Sequence, residues 1–344
     1  MIAIHKNDHS FSNHWIDYCK ARSIPYKIVN CYSSDIINQL ANCDSLMWHH
    51  SHINSKDVLF AQKLLMAVEH SGKIVFPNFK TAWHFDDKVA QKYLLEAIGA
   101  PLVNSWVFYD KNEAMLWTKR CTYPKVFKLR GGSGSSNVLL ANTTNEALKL
   151  IKRAFGKGFK QRDEINGLKE RWRKYQLGKL KFEDVLIGII RIFYGTKFSK
   201  VAGNEKGYAY FQEFIPNNNY DIRVVVVDNK AFAIKRMVRK NDFRASGSGN
   251  ILYKKELFDI NTIKLSFELT DKIDAQCIAY DFIYDNGIPK VVEISYGFMK
   301  EGYDACEGYW DKDLNWHEGK FDFCGWMVEC VVNEIQEKKN EVTK

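Results

Sequence analysis

The chain has 344 residues, 46% of them apolar and 14% aromatic, with 50 Lys or Arg against 41 Asp or Glu. That is ample material for two or three globular cores. No stretch approaches the roughly eighteen uninterrupted apolar residues of a membrane span. The opening MIAIHKNDHS lacks the charged, apolar and small-residue order of a signal peptide, so a cytoplasmic protein is expected.

Short apolar runs alternate with amphipathic stretches through the first eighty residues. IAI is followed by a helix near 13–21, YKIVNCY by a helix near 35–40, DSLMWH by a long helix near 56–70, and KIVFPN closes the series. This spacing predicts a small open parallel sheet flanked by helices over 1–84. No GxGxxG follows the first strand, which argues against a nicotinamide or flavin site there. His49, His50 and His52 cluster in LMWHHSH, and TAWHF (81–85) adds another aromatic stretch. Both end predicted strands, where α/β ligand sites tend to lie. A metal site would need a fourth partner, so a substrate pocket or ordinary packing is the favoured reading. The eight cysteines are scattered without a CxxC pair, which argues against a disulfide framework or a zinc ribbon.

From Phe85 the texture changes. A helix begins near Asp86 and ends at Gly99, with Pro101 beyond it. NSWVFY (strand), NEAMLWTKR (helix), YPKVFKLR (strand), GGSGSS (loop) and NVLLA (strand) follow. A strand, Gly-rich loop, strand order gives a hairpin flap, not the strand, loop, helix order of a P-loop. Helical sequence occupies about 144–193. The segment 157–206 holds thirteen Lys or Arg against six Asp or Glu, a local excess of seven within a chain whose net charge is +9. A solvated helical insertion is the simple reading, and no RNA-binding signature accompanies the charge.

The strands YAYFQEFI, IRVVVV and KAFAIKRMV come next, the last two joined at Asp228-Asn229. The first breaks at Pro216, which leaves backbone groups of Glu213 to Ile215 for a planar base. Asp221 and Arg223, then Lys235, Arg236 and Arg244, are expected on one face. A helix near 261–274 leads to YDFIYDNGIPKVVEISYG, a hairpin whose apolar alternation is broken by Asp281 and Glu293. Tyr280, Phe282 and Tyr284 share an apolar face with Val292 and Ile294 only in an even-sum register. A three-residue connection supplies that register, whereas a two-residue Asn286-Gly287 turn would spoil it. Asp281 then lies opposite Glu293, with Ser295 beside them, on the face away from the core. Two opposed anions repel, so a positive partner is required, and Mg²⁺ shared with nucleotide phosphates fits. Acidic residues at a solvated sheet edge are the alternative. A tail carrying Trp310, Trp316 and Trp326 ends in a helix near 325–338.

The ordered set FDDKVAQKYLLEAIGAP, YPKVFKLRGGSGSSNVLL, YFQEFIPNNNYDIRVVVV, AIKRMVRKNDFRASGSG and AYDFIYDNGIPKVVEIS resembles the ATP-grasp superfamily, especially the branch of glutathione synthetase and the ribosomal-protein glutamate ligases. The resemblance covers about residues 1–300. It implies an α/β (α+β) ATP-grasp fold with an N-terminal open parallel pre-ATP-grasp domain (1–84), a central subdomain with flap and basic insertion (85–206) and a C-terminal subdomain (207–344). It implies that Lys88 and Lys128 contact ATP phosphates under a flap of Gly131, Gly132, Ser133, Gly134, Ser135 and Ser136. Backbone of Glu213, Phe214 and Ile215 would hold adenine, with Asp221 or Asn219 on the ribose. Asp281, Glu293 and Ser295 would bind Mg²⁺ (or Mn²⁺), and Arg223, Arg236, Arg244 and Lys235 would act on the transferred phosphoryl group. Ser295 stands where the family usually has the Asn of its Glu-x-Asn metal motif, which weakens metal ligation, and Ser246 stands where it has the Asn of its Arg-x-Asn loop; both departures bear on turnover and not on nucleotide binding. The implied activity is ADP-forming ligation of a small-molecule carboxylate to an amine through an acyl phosphate, with a homodimer left open. A sugar acid or peptide-like metabolite of surface-polysaccharide biosynthesis is the analogy for the substrate. The rival readings are a non-catalytic ATP-binding scaffold docking an acidic partner, and a kinase.

Overall fold

The computed structural model describes residues 1–8, 10–52, 54–132, 137–160, 168, 171–172, 175–176, 181–194, 203–239 and 242–342. The chain divides into two compact units, one of 1–85, 94–101 and 217–344 and the other of 86–93 and 102–216.

In the first unit, strands β1 (Ile2–His5), β2 (Tyr26–Val29), β3 (Ser45–Met47) and β4 (Ile74–Phe76) pair in parallel in the order β2-β1-β3-β4. Intervening helices, among them Ser12–Ala21 and Ser55–His70, make the crossovers that a parallel sheet requires. Asn54 caps the longer helix by accepting from the Lys56 N–H.

In the second unit, β5 (Ser105–Phe108), β6 (Lys125–Lys128), β7 (Val138–Ala141) and β10 (Ala209–Glu213) form the sheet β5-β10-β6-β7, and β8 (Phe159–Lys160) pairs with β9 (Asn204–Glu205). The β6–β7 pair is antiparallel, with Lys128 opposite Val138, so the Gly-rich segment does join two strands of a hairpin. Phe127, Phe211, Ala147 and Ile151 fill the core beneath it. The chain leaves this unit after Pro216.

The first unit resumes with β11 (Tyr220–Val227), β12 (Lys230–Met237), β13 (Ile251–Leu252), β14 (Cys277–Asp285), β15 (Ile288–Ser295), β16 (Gly308–Asp311) and β17 (Trp316–Glu318) in one sheet. One face of it carries Val225, Val227, Phe232, Ile234, Cys277 and Ala279 into a core shared with Ile2, Ile4, Trp15 and the helix Phe323–Val342. All eight cysteines are free thiols, seven of them buried.

The 281/293 hairpin differs from expectation in two respects. Asn286 and Gly287 form a two-residue turn with φ of 50° and 81°, and Asp285 pairs with Ile288, as a type I′ connection allows. The required register is restored by a bulge between Asp281 and Phe282: Phe282 pairs with Val291, and Asp281 with Glu293. Val291, not Val292, is therefore the buried valine. The pair also does not face away from the core. Asp281 shares its sheet face with Ala279 and Cys277, at the end of the apolar cluster.

Candidate active site

The first unit concentrates charge where this apolar face ends. Along β11 the inward positions run Asp221, Arg223, Val225, Val227, opposite Arg236, Ile234, Phe232 and Lys230 of β12. The same face thus changes from hydrocarbon to charge within one strand. Arg223 binds Asp281 bidentately, Nε to Oδ1 at 2.5 Å and Nη2 to Oδ2 at 2.7 Å. Arg236 binds Asp221 through Nε and Nη2, both at 2.7 Å, and its Nη2 also reaches Asp281 Oδ2 at 2.9 Å. Two guanidinium groups and two carboxylates make a neutral, interlocked array of charge-assisted bonds. The positive partner demanded by the Asp281–Glu293 opposition is therefore in part the protein's own Arg223.

Burial raises the Asp281 pKa, but the attraction of Arg223 and Arg236 outweighs it and holds the carboxyl far below its usual range. Burial lowers the Arg223 value, and Asp281 more than reverses this. For Asp221 burial wins over Arg236 and the carboxyl is raised. Tyr303 packs beside the array, where burial raises its phenol against the pull of Arg223 and Arg236. Glu293 is half-buried opposite Asp281. The Ser295 hydroxyl donates to the Gly297 carbonyl at 2.8 Å.

The 239–247 loop carries a second ion pair. Arg244 Nε lies 2.9 Å from both Asp242 oxygens and its Nη2 2.7 Å from Oδ2. Arg239 clamps the loop through Nη2 to the Ser246 carbonyl at 2.6 Å. Gly247, at φ 73°, sits where a Cβ would lie 2.7 Å from Arg239 Nη2. Lys235 does not join the arginines. It adjoins Arg236 on β12, so it points to the opposite face, with Nζ 3.6 Å from the Tyr220 ring centroid.

The second unit buries a set of lysines. Lys88, 4% exposed, donates from Nζ to the Gly132 carbonyl at 2.8 Å, and the Gly132 N–H donates to Asp86. Lys128 donates to Gln212 Oε1 at 2.6 Å, and Gln212 Nε2 to Ser105 Oγ at 3.1 Å. Lys125 binds Glu213 Oε1 at 2.7 Å. The expectation that Glu213 leaves its backbone donor unused is corrected, since its N–H donates to the Asn104 carbonyl at 2.8 Å. Ser133, Gly134, Ser135 and Ser136 of the flap lie outside the described residues.

The histidine stretch packs as neutral aromatic side chains in the first unit. Phe11 stacks on His49 at 4.0 Å and donates its N–H to Nδ1. Tyr296 donates to the His50 carbonyl at 2.6 Å. Burial brings both imidazoles down to a pKa of about 3. No group of three or more His, Cys, Asp or Glu among the described residues is placed to hold a metal by itself.

No family model and no curated protein matches the sequence. Solved structures do. A RimK-domain ATP-grasp protein from Sphaerobacter thermophilus superposes with a TM-score of 0.55 at 13% identity, covering 96% of this chain and 99% of that one. D-alanine–D-alanine ligase from Bacillus anthracis, solved with ATP, gives 0.56 at 11% identity, with 98% and 97% covered. The biotin carboxylase domain of the Hydrogenobacter thermophilus 2-oxoglutarate carboxylase, solved with MgADP, ADP and bicarbonate, gives 0.60 at 12% identity, with 96% and 69% covered.

The chain has the ATP-grasp fold. Within its first unit Asp221, Arg223, Arg236, Asp281 and Glu293 come together on neighbouring strands, while Lys235 is turned away and Arg244 is held by Asp242. Asn219 accepts the Val238 N–H through its carbonyl at 2.9 Å. Within the second unit the start of the helix Lys88–Ala97 grips the stem of the Gly-rich flap. Sequence reasoning passed over Arg239, Asp242, Gln212, Lys125 and Tyr303. Their signals were an Arg and an Asp shortly before the SGSG run, and a Gln and a Lys within otherwise apolar strands.

Proposed function

We propose that the chain is an ATP-dependent, ADP-forming ligase that joins a carboxylate to an amine. The carrying observation is the interlocked Arg223–Asp281–Arg236–Asp221 array with Glu293 in register beside it. A neutral, rigid set of guanidinium and carboxylate groups is suited to charge that appears only during phosphoryl transfer. Lys88 and Lys128 supply positive charge to the ATP phosphates. Arg223 and Arg236 offset negative charge on the transferred phosphoryl group as the substrate carboxylate attacks phosphorus and ADP leaves. The amine then displaces phosphate from the acyl phosphate. Positioning carries most of the first step, which needs little acid or base catalysis.

Asp281 and Glu293 suit Mg²⁺, which takes one or two carboxylates and completes its shell with phosphate oxygens and water. Asp281 Oδ2 accepts from both Arg223 and Arg236, whereas Oδ1 accepts from Arg223 Nε and retains a lone pair for a metal. When bound, the metal would neutralise charge on the phosphate oxygens. A sugar acid or peptide-like acid is the proposed substrate class.

A second reading, nucleotide binding without turnover, is favoured by the Ser295 hydroxyl being committed to Gly297. One experiment separates the two: ADP and phosphate release with Mg-ATP over a panel of sugar acids and peptide acids, with and without hydroxylamine, for wild type and Glu293→Gln. Acid-dependent release, a hydroxamate product and loss of both in the variant are expected. ATP binding without release on any acid would replace the ligase by the scaffold.

A further inference from the structure

We infer that a cleft at the carboxyl ends of β1 and β2 holds an oxyanion, a carboxylate or a phosphate monoester, borne by the substrate at a distance from its reacting carboxyl. The cleft has a volume of about 520 Å³ and is lined by His5 to Asp8, Asn30, Tyr32 and Asn54. All of these belong to the first unit. An open parallel sheet presents its ligand-binding loops at the carboxyl ends of its strands, and the volume is that of a small-molecule site. No aliphatic side chain lines it.

Main-chain N–H groups set the polarity of this lining. The Cys31 N–H donates to His5 Nδ1 at 3.1 Å, the Tyr32 N–H to Asn30 Oδ1 at 3.1 Å and the Lys56 N–H to Asn54 Oδ1 at 3.0 Å. Each occupies the acceptor atom of a lining side chain. His5 is 5% exposed, and burial lowers its pKa against the pull of the Val29 carbonyl and Asp57, so the neutral ring carries its proton on Nε2. What the three side chains have left to offer is chiefly N–H. The Tyr32 hydroxyl donates to Asp57 and accepts from Asn54 Nδ2 at 2.8 Å, which leaves Asn54 its second amide hydrogen. Asp57, 1% exposed, also accepts the Ser51 N–H at 2.7 Å, so a carboxylate buried at a desolvation cost holds this wall in place. Lys6 adds an ammonium to the lining, and Lys56 Nζ lies 5.0 Å from the centroid of the Tyr32 ring.

Donors gathered along one wall suit a ligand group that only accepts, and bonds to an ionised acceptor are the strong ones. An apolar group would leave them unpaired at a cost. A metal cation would meet N–H groups instead of lone pairs, and no cluster among the described residues is placed to hold one. Asp8 balances Lys6 among the charged lining residues, which favours a single oxyanion over a polyphosphate. The remoteness follows from a row of rings. His5 lies 5.0 Å from Trp48, Trp48 6.4 Å from His50 and His50 5.0 Å from Tyr296, centroid to centroid. Tyr296 directly follows Ser295 at the end of β15. Trp48 and His50 thus stand between the cleft and the Asp281–Glu293 hairpin, so a group held in the cleft is a second acidic group and not the one that reacts. That makes the substrate a dicarboxylic or phosphorylated acid. Assigning the oxyanion to the substrate rests on the ligase reading, whereas its binding does not.

The test is amide NMR of the full chain without ATP, titrated with D-glucuronate, inorganic phosphate and uncharged D-glucose. The Cys31 and Tyr32 N–H groups, bonded to His5 and Asn30, report on the cleft. Saturable shifts of both are expected with glucuronate or phosphate and none with glucose, and the tighter of the two anions tells carboxylate from phosphate. Asn30→Asp keeps the oxygen that accepts from Tyr32 and exchanges an N–H donor for negative charge. Its dissociation constant should rise at least about tenfold, since a hydrogen bond to a charged group is worth at least that factor. Lys6→Gln should raise it by a smaller, salt-dependent factor. Asn30 and Lys6 are exposed, so an unchanged thermal midpoint shows that the fold is intact. The inference is overturned by absence of shifts with both anions, by equal shifts with glucose, or by undiminished affinity of Asn30→Asp. Acid-dependent ADP release without anion binding in the cleft would keep the ligase and remove this site. Anion binding without release on any acid would keep the site and remove the ligase.

Discussion

Asp281→Asn should destabilise the first unit even in the presence of a chelator. The carboxylate is 7% exposed and accepts three bonds from Arg223 and Arg236. Neutralising it leaves two buried guanidinium groups with Asp221 alone. Removing one partner of a buried pair costs about 3 kcal/mol or more, and at about 2–4 °C per kcal/mol the first unit's midpoint should fall by roughly 6–12 °C. Differential scanning calorimetry in EDTA reads this directly. Adding Arg223→Met to Asp281→Asn should recover part of the loss, because an apolar replacement of a whole pair is often neutral. Its pH dependence has a definite sign. The folded value is depressed below the unfolded value of about 3.9, so the stabilisation is complete above about pH 4 and is lost as pH falls through the folded value. The gap between wild type and variant should therefore stay constant from neutral pH to about pH 5 and close in stronger acid. An unchanged midpoint in EDTA, with a change only when Mg²⁺ is added, would refute the arginine pairing and reserve the carboxylate for metal.

His49 and His50, brought down to about 3 by burial, lie below the unfolded value of about 6.5, so the folded state loses stability as pH drops from there, at up to about 1.4 kcal/mol per unit for each; thermal midpoints taken from pH 7 to pH 5 should fall, and His50→Phe should make the slope shallower. Gly247→Ala forces a left-handed backbone and a Cβ 2.7 Å from Arg239 Nη2, so about 1–2 kcal/mol of backbone cost should appear in the midpoint, with ATP protection reduced as the loop shifts; no loss on either measure would remove the need for glycine. Deleting Val292 removes the bulge while leaving Glu293 opposite Asp281. Circular dichroism should stay native, while acid-dependent ADP release drops at least tenfold because the bulge no longer aims Glu293; undiminished release would make the bulge a fold feature only.

Much of the fold is legible because its signals are local. Parallel strands and crossover helices of the first eighty residues follow from runs such as IAI and DSLMWH separated by amphipathic stretches. The Gly-rich hairpin follows from strand signals on both sides of GGSGSS, and β11–β12 from Asp228-Asn229 between two apolar runs. The site is legible as a set of residues but less so as pairs. Counting carboxylates finds Asp281 and Glu293, yet it does not reveal that Arg223, 58 positions earlier, lies on β11 directly opposite Asp281 of β14. That contact depends on strand order, which no local pattern encodes. Lys235 shows the converse. Adjacency to Arg236 suggests a shared role, while strand alternation sends it to the other face.

The hairpin register shows why spacing alone does not determine geometry. An even sum for Asp281 and Glu293 is satisfied by a longer turn, or by a two-residue turn with one extra residue inserted further on. Asn286-Gly287 is among the strongest two-residue turn signals, since both positions take positive φ. The second solution was therefore the better one on turn chemistry. What hides it is the pair Val291-Val292: with two valines in succession, either can supply the buried side chain, and alternation no longer locates the insertion. The duplicated valine makes the bulge silent in sequence while it twists β15 at the point where Glu293 meets Asp281. A bulge beside paired carboxylates is where a chain would adjust their aim without altering their identity, so the residue that matters for the metal pair includes one with no polar atom in its side chain.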